Sequence, residues 1–215
     1  MVINNRLLVN FLKQITINAS ITDKLKIRYR PYICPFDILL SRVKPGDRLA
    51  DIGCGSGQFL LLAAHFTGAS AVAGIEISPR LIDNARTLFT ERSSIPSRFE
   101  VFDGQVFPDI IFDADLIFLI DVLHHVPAPN QDTFLLDILK GMKPGSRLLL
   151  KDIDAGSPLV YMNKLHDVLL GGGAGHERKP QEIAALLQKG GATIQSVSTK
   201  RTWVYPHYII EATKP

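Results

Sequence analysis

The chain has 215 residues and a mass of 23.8 kDa, enough for one domain with a sizeable core plus an appendage. At 46% hydrophobic and 21% charged residues its composition is globular, which excludes disordered, collagen-like and coiled-coil classes. Its 24 basic and 21 acidic residues leave a net charge of +3 spread along the chain, unlike the clustered footprint of a dedicated nucleic-acid binder. Two cysteines, Cys34 and Cys54, cannot make a disulfide framework, and neither has the CxxC partner of a sulfur-ligated metal site. Asn10 and Lys13 break the apolar N-terminal run, and the longest apolar stretches, 59–66 and 116–120, are too short for a bilayer span. These features predict a cytoplasmic, soluble protein with no membrane partner and no metal.

Residues 1–45 carry Leu7, Leu8, Phe11, Leu12 and Ile15 on one helical face and read as a helical cap. From Pro45-Gly46-Asp47 onward, short β-rich runs alternate with helical-period segments. Strands are predicted over 48–52, 70–77, 98–102, 115–122 and 147–153. Helices are predicted over 57–66, from Ser78-Pro79 through Leu81, Ile82, Ala85, Leu88 and Phe89, over 134–142, and over 180–189. Ser78 is suited to an N-cap, and Pro79 to the first helical position, where its missing N–H costs nothing. Two last strands, 193–199 and 202–213, have almost no residues between them and should form an antiparallel hairpin. This alternation predicts an α/β three-layer sandwich with a mostly parallel sheet. Segment 154–178, containing Gly171-Gly172-Gly173 and Gly175, is predicted as an insertion of the length that functional lids have.

The chemistry concentrates at the ends of the strands. The first strand runs into Asp51-Ile52-Gly53-Cys54-Gly55-Ser56-Gly57-Gln58. Glycines 53, 55 and 57 let the backbone turn tightly and approach a ligand. Gln58 stands one position past the third glycine, so the GxGxxG spacing of a dinucleotide fingerprint is not met. Asp51 favours a cationic ligand over a pyrophosphate, which wants N–H donors and positive potential. Glu76 ends the second strand, where an acid can accept hydrogen bonds from both ribose hydroxyls and repels a 2′-phosphate. Asp103 (in Phe102-Asp103-Gly104) and Asp121 (before Val122-Leu123-His124-His125-Val126-Pro127) end the third and fourth. Four successive strands thus end in an acid.

With these residues in view, the sequence over about 40–215 resembles the class I S-adenosylmethionine-dependent methyltransferases. The resemblance rests on the glycine loop paired with Glu76, on Phe102-Asp103-Gly104, on 121–127, and on Met142-Lys143-Pro144-Gly145 leading into Leu148-Leu149-Leu150-Lys151-Asp152. It implies a Rossmann-like seven-stranded sheet whose last strand inserts antiparallel. It also implies S-adenosylmethionine as cofactor. Asp51, Gly53, Gly55 and Gly57 would cradle its methionine part, Glu76 its ribose, and Asp103 with Gly104 its adenine amino edge. Ile77 would pack on the adenine, and Asp121 and Val122 would border the sulfonium.

The activity implied is methyl transfer by in-line displacement, helped mainly by alignment and water exclusion. A base is needed only where the acceptor starts protonated, and His124 and His125 are the candidates. Tyr161, His166, His176, Tyr205 and His207 are candidates for contact with the acceptor. Arg28-Tyr29-Arg30-Pro31-Tyr32 could present a guanidinium to the cofactor carboxylate. Residues 1–45 and 154–178 are assigned to recognising and covering the acceptor, with 46–215 as the cofactor domain. A small-molecule acceptor is expected. The alternatives are RNA or protein as acceptor; methylation of nucleic-acid base amino groups is disfavoured by the absence of an (N/D)PP(Y/F) box after the fourth strand, and RNA by the lack of an appended basic domain. A nicotinamide-dependent oxidoreductase is disfavoured by Gln58 and Asp51.

Overall fold

The computed structural model describes residues 3–15, 28–160 and 175–215. Among these, seven strands form one mixed sheet in the order β3-β2-β1-β4-β5-β7-β6. The strands are β1 (Arg48–Ile52), β2 (Ala71–Glu76), β3 (Ser97–Val101), β4 (Leu116–Ile120), β5 (Arg147–Ile153), β6 (Thr193–Thr202) and β7 (Tyr205–Thr213). The chain divides into two compact units, Met1–Ala114 and Asp115–Pro215.

In the first unit β1, β2 and β3 run parallel, with Asp51 opposite Gly74 and Gly74 opposite Phe99. Helix α1 (Asn5–Lys13) starts at Asn4, whose side chain accepts from the Leu7 N–H at 3.0 Å. Leu8, Val9 and Leu12 are buried, and Phe11 lies 4.4 Å from the His65 ring and 5.3 Å from Phe66 on α3 (Gln58–Phe66). Residues 28–33 are helical, and α2 (Phe36–Leu40) brings Phe36 within 5.0 Å of Phe59. Helix α4 (Pro79–Arg92) buries Ile82, Ala85, Leu88 and Phe89, the face its 3.6-residue period predicts.

Gly74 sets how closely β2, β3 and the glycine loop can approach. A Cβ at this position would lie 2.7 Å from Cys54 Sγ and 2.8 Å from the Phe99 ring. The missing side chain lets Phe99 lie across its cross-strand neighbour and meet Phe89 of α4 at 5.0 Å. Arg86 of the same helix donates to the Phe99 carbonyl at 2.7 Å, so α4 is fastened to β3 at this point.

In the second unit β4 pairs parallel with β5, β5 antiparallel with β7, and β7 antiparallel with β6. All five residues of β4 are buried. The predicted strand 115–122 is shorter than expected, because Asp121 takes φ 56 and turns the chain into a 3-10 turn over Leu123–His125. Helix α5 (Gln131–Gly141) begins three residues before its predicted start, and α6 (Pro180–Lys189) stands where predicted. The terminal hairpin is present, its strands joined by Trp203 and Val204 alone.

Gly74→Ala should lower the unfolding free energy by about 1–3 kcal/mol, the usual cost of forcing a methyl group into a filled interior. Urea denaturation reads this directly, and an unchanged midpoint would mean that Phe99 moves aside freely.

Candidate active site

The first unit builds a cradle at the carboxyl ends of β1, β2 and β3. Gly53, Gly55 and Gly57 have φ of 77, 54 and 79, the left-handed conformation the loop requires. Gly57 has a second reason to be glycine: its Cβ would sit 3.1 Å from Ala85 Cβ, where α4 packs against the start of α3. The Gly53 and Cys54 N–H groups both donate to the Ile75 carbonyl, at 2.8 and 3.0 Å, and pin the loop to β2. Glu76 closes the arrangement, accepting from Gly55 N–H at 3.1 Å through one oxygen and from Ser78 N–H at 3.2 Å through the other. A carboxylate has about four acceptor positions, so this cross-tie leaves Glu76 capacity for a ligand.

Asp51 is 3% exposed, and its Oδ1 has no hydrogen-bond partner among the described residues. Burial pushes its pKa up to about 8; Arg30 opposes this, and Glu76 reinforces it. Arg30, in the helical 28–33 segment, is therefore close enough for its charge to act on the loop acid. Burial also raises the Cys54 thiol well above its ordinary range, so it is no nucleophile. Asp103 is exposed, and its Oδ1 accepts from the N–H groups of Gln105 and Val106 at 2.8 and 3.0 Å. Those bonds hold its pKa below the usual carboxylate value. Gly104 beside it has φ 83. Ile77 and Val106 are large apolar residues left 68% and 75% exposed, next to Glu76 and near Asp103 in the chain.

The second unit builds a charged cluster at the carboxyl ends of β4 and β5. Lys151, 1% exposed, pairs with Asp121. Its neighbour Asp152 accepts from His124 N–H at 3.2 Å and meets His124 Nδ1 at 2.5 Å, with both side chains buried. Asp152 Oδ1 also accepts from Ile153 N–H at 2.7 Å. Tyr208, opposite Asp152 on β7, is fully buried, and burial with the Asp152 charge drives its phenol pKa far up. His124 is thus the inner histidine of the pair. His125 is exposed, its ring centroid 4.0 Å from that of His124.

Gln131 gathers the neighbouring loops. Its side-chain amide donates to the carbonyls of Leu123, Val126 and His176, at 2.9, 3.1 and 2.8 Å. His176 is exposed, and its N–H donates to the His124 carbonyl at 2.8 Å. Tyr205 and His207 stack with centroids 6.1 Å apart, His207 buried and Tyr205 half-buried. Val122 lies in the turn that carries the histidines. Tyr161 and His166 lie outside the described residues. Sequence reasoning assigned no role to Lys151, Asp152 or Gln131. The first two left a signal, a charged pair interrupting an apolar strand; Gln131 left none.

Comparison with known proteins names the class. Residues 43–204 match the family model described as a methyltransferase domain. The chain belongs to that family, the class I, Rossmann-like S-adenosylmethionine-dependent methyltransferases. By sequence it is similar to the mitomycin biosynthesis 6-O-methyltransferase of Streptomyces lavendulae, 34% identical over 150 residues, covering 67% of this chain and 41% of that protein. It is 38% identical to the demethylmenaquinone methyltransferase of Tropheryma whipplei over 108 residues, covering 50% and 42% of the two chains. The matched stretch thus spans about two fifths of these relatives' length. Among solved structures, magnesium protoporphyrin IX methyltransferase from Synechocystis with bound SAH has TM-score 0.70 at 19% identity, covering 98% of this chain and 94% of that one. A [4+2]-cyclase shares the fold at TM-score 0.66 and 18% identity, covering 98% and 92%.

The cradle fits the family's cofactor. A buried acid oxygen without a partner among the described residues, at the strand end that leads into a loop of left-handed glycines, suits a positively charged amino-acid end. Because Asp51 is raised from 3.8 to about 8, its protonated form stabilises the ligand-free fold. That contribution is complete below about pH 4 and disappears as pH rises to about 8. The melting temperature of the ligand-free protein should therefore fall between pH 5 and 8, and Asp51→Asn should flatten that slope. Differential scanning calorimetry across the range tests both, and parallel slopes in the two proteins would remove Asp51 as the cause.

Proposed function

We propose that the chain is an S-adenosylmethionine-dependent methyltransferase acting on a small-molecule acceptor. Buried Asp51, at the end of β1 just before the Gly53–Gly55–Gly57 loop and with no hydrogen-bond partner for its Oδ1 among the described residues, carries this reading, because it provides for a cationic ligand and for no pyrophosphate. Asp51 and the three glycines hold the methionine end, and Arg30 faces its carboxylate. Glu76 takes the ribose hydroxyls, Asp103 with Gly104 the adenine edge, and Ile77 the adenine face. Asp121 and Val122 border the reacting end. Residues 1–45 and 154–178 recognise and cover the acceptor. Bound there, S-adenosylmethionine supplies a methyl group on a sulfonium that is already an activated leaving group.

The chain's own chemistry is then proton removal and alignment. An acceptor hydroxyl, as the name of the mitomycin relative implies for that protein, starts protonated. His124 is the base: Asp152 fixes its Nδ1, which leaves Nε2 as the nitrogen that takes the proton. Asp152 is a positioning residue, and Gln131 keeps the turn beneath His124 in place. His125, exposed beside it, lines the acceptor side.

Isothermal titration should show binding of S-adenosylmethionine and S-adenosylhomocysteine and none of NAD(H); the opposite pattern would end this reading. Glu76→Ala should weaken cofactor binding at least tenfold, about 1.4 kcal/mol, from one lost charge-assisted bond. Binding of the cationic cofactor converts Asp51 to its carboxylate, so affinity should rise with pH up to about 8, with proton release at neutral pH. Buffers of different ionisation enthalpy detect that proton, and Asp51→Asn should abolish it.

Acceptors are found by a mass-spectrometric screen for addition of one methyl group. With one in hand, His124→Ala should lower kcat by about 100-fold or more at unchanged cofactor affinity. Asp152→Asn should lower kcat with little change in KM. A loss below about threefold for His124→Ala would leave alignment as the whole mechanism.

A further inference from the structure

Small residues on β2 leave a gap on each of its faces, and only one gap is filled. On one face Gly74 makes room for Phe99 and for Cys54 Sγ. On the other, Ala71 and Ala73 stand where a parallel strand covered on both faces ordinarily carries valine, isoleucine or leucine. Arg48 pairs with Ala71, and Ala73 with Arg98. Register partners share a face, as do residues two apart on one strand. The two alanines therefore lie on a face bounded by Arg48 of β1 and Arg98 of β3.

These four residues line one cavity of about 80 Å³. Pro96, and Ile110 from the 3-10 turn Asp109–Ile111, add apolar wall. Asp113 is the one acid among the described residues that line it, so two guanidiniums there face one carboxylate. The whole cavity belongs to the first unit. It sits at the amino ends of β1, β2 and β3, a strand's length from the cradle at their carboxyl ends. Both arginines are loosely engaged: Arg48 meets Asp113 and Arg98 meets Glu100 at 3.6 Å each, with side chains 43% to 65% exposed. Exposed pairs of that length contribute little and exchange readily. A guanidinium carries five N–H donors in a planar fork that matches a carboxylate.

We propose that this cavity is a binding site for a small carboxylate with a short branched apolar end. The apolar end rests on Ala71 and Ala73, and Arg98, with Arg48 across the floor, takes the carboxylate. A mostly apolar lining with a few polar groups is how small-molecule sites fix orientation. A dry cavity of about 150 Å³ holds a benzene ring, so this one admits about three or four carbon atoms and leaves the charged group at the rim. An anion with no apolar part would leave the floor uncovered. The site goes beyond the methyltransferase reading and does not depend on it.

The probes are isobutyrate and its neutral isostere isobutyramide, each followed by saturation-transfer NMR on the whole chain, with inorganic phosphate as competitor at constant ionic strength. Isobutyrate should bind saturably, and isobutyramide about threefold to fivefold more weakly. Arg98→Gln should remove that preference. Ala71→Val fills the floor with a residue suited to a strand, and should weaken isobutyrate at least fivefold while keeping or raising the melting temperature. Should Ala71→Val lower the melting temperature instead, Arg98→Gln, on an exposed side chain, decides. Signal that does not saturate, equal binding of acid and amide, displacement by equimolar phosphate, a preference that survives Arg98→Gln, or unchanged affinity in a fully folded Ala71→Val protein would each overturn the proposal.

Discussion

Burying charge at the ends of apolar strands is costly, and each unit of the chain meets that cost differently. In the second unit the charges at the ends of β4 and β5 have partners from the same chain. Lys151 sits against Asp121, and Asp152 accepts from two backbone N–H groups as well as meeting the His124 ring. Such a cluster is rigid because removing any one member strands the others. In the first unit Asp51 is as deeply buried, but its Oδ1 has no such bond among the described residues. The result is a protonated acid near neutrality, held ready for a positive charge. The cluster of the second unit is satisfied within the chain; the acid of the first keeps an oxygen without a hydrogen bond among the described residues.

Backbone strain follows the same division of labour. Loop glycines 53, 55 and 57 take left-handed φ at little cost, and this turns the Gly53 and Cys54 N–H groups onto the Ile75 carbonyl and the Gly55 N–H onto Glu76. Asp121 takes φ 56 without being glycine, and its ion pair with Lys151 and its N–H bond to the Lys151 carbonyl at 2.9 Å hold it there. That kink sends the chain off β4 into the turn carrying His124. Trp203 is the other non-glycine with positive φ among the described residues. There the two-residue link between β6 and β7 itself calls for a positive φ at its first residue.

Much of this was legible in the residues. Alternating strands and helices, Ser78-Pro79 opening α4, and the glycine loop after β1 are local signals, each written within a few positions. The acids at 51, 76, 103 and 121 could be placed at strand ends because strand length fixes where a strand stops. What stayed hidden was pairing over distance. Gly55 and Glu76 are 21 residues apart, His124 and Asp152 28, Lys151 and Asp121 30, and no periodicity links such partners. The two histidines were indistinguishable for the same reason. Only the position of β5 beside β4 decides that His124 turns inward to Asp152 while His125 stays exposed.

The two units also place their proton demands on the same side of the pH scale. In the first, a cationic ligand requires Asp51 as its carboxylate, a form that grows as pH rises toward about 8. In the second, a histidine that removes a proton must begin neutral, which rising pH also favours. Binding and chemistry would then both improve with pH, and a rate profile alone would merge them. They differ in what they respond to. On the proposed reading, Asp51 would act on cofactor affinity, an effect that vanishes when the cofactor saturates, whereas proton removal by His124 would remain in kcat. On that reading, a pH dependence that is lost at saturating cofactor would belong to the cradle.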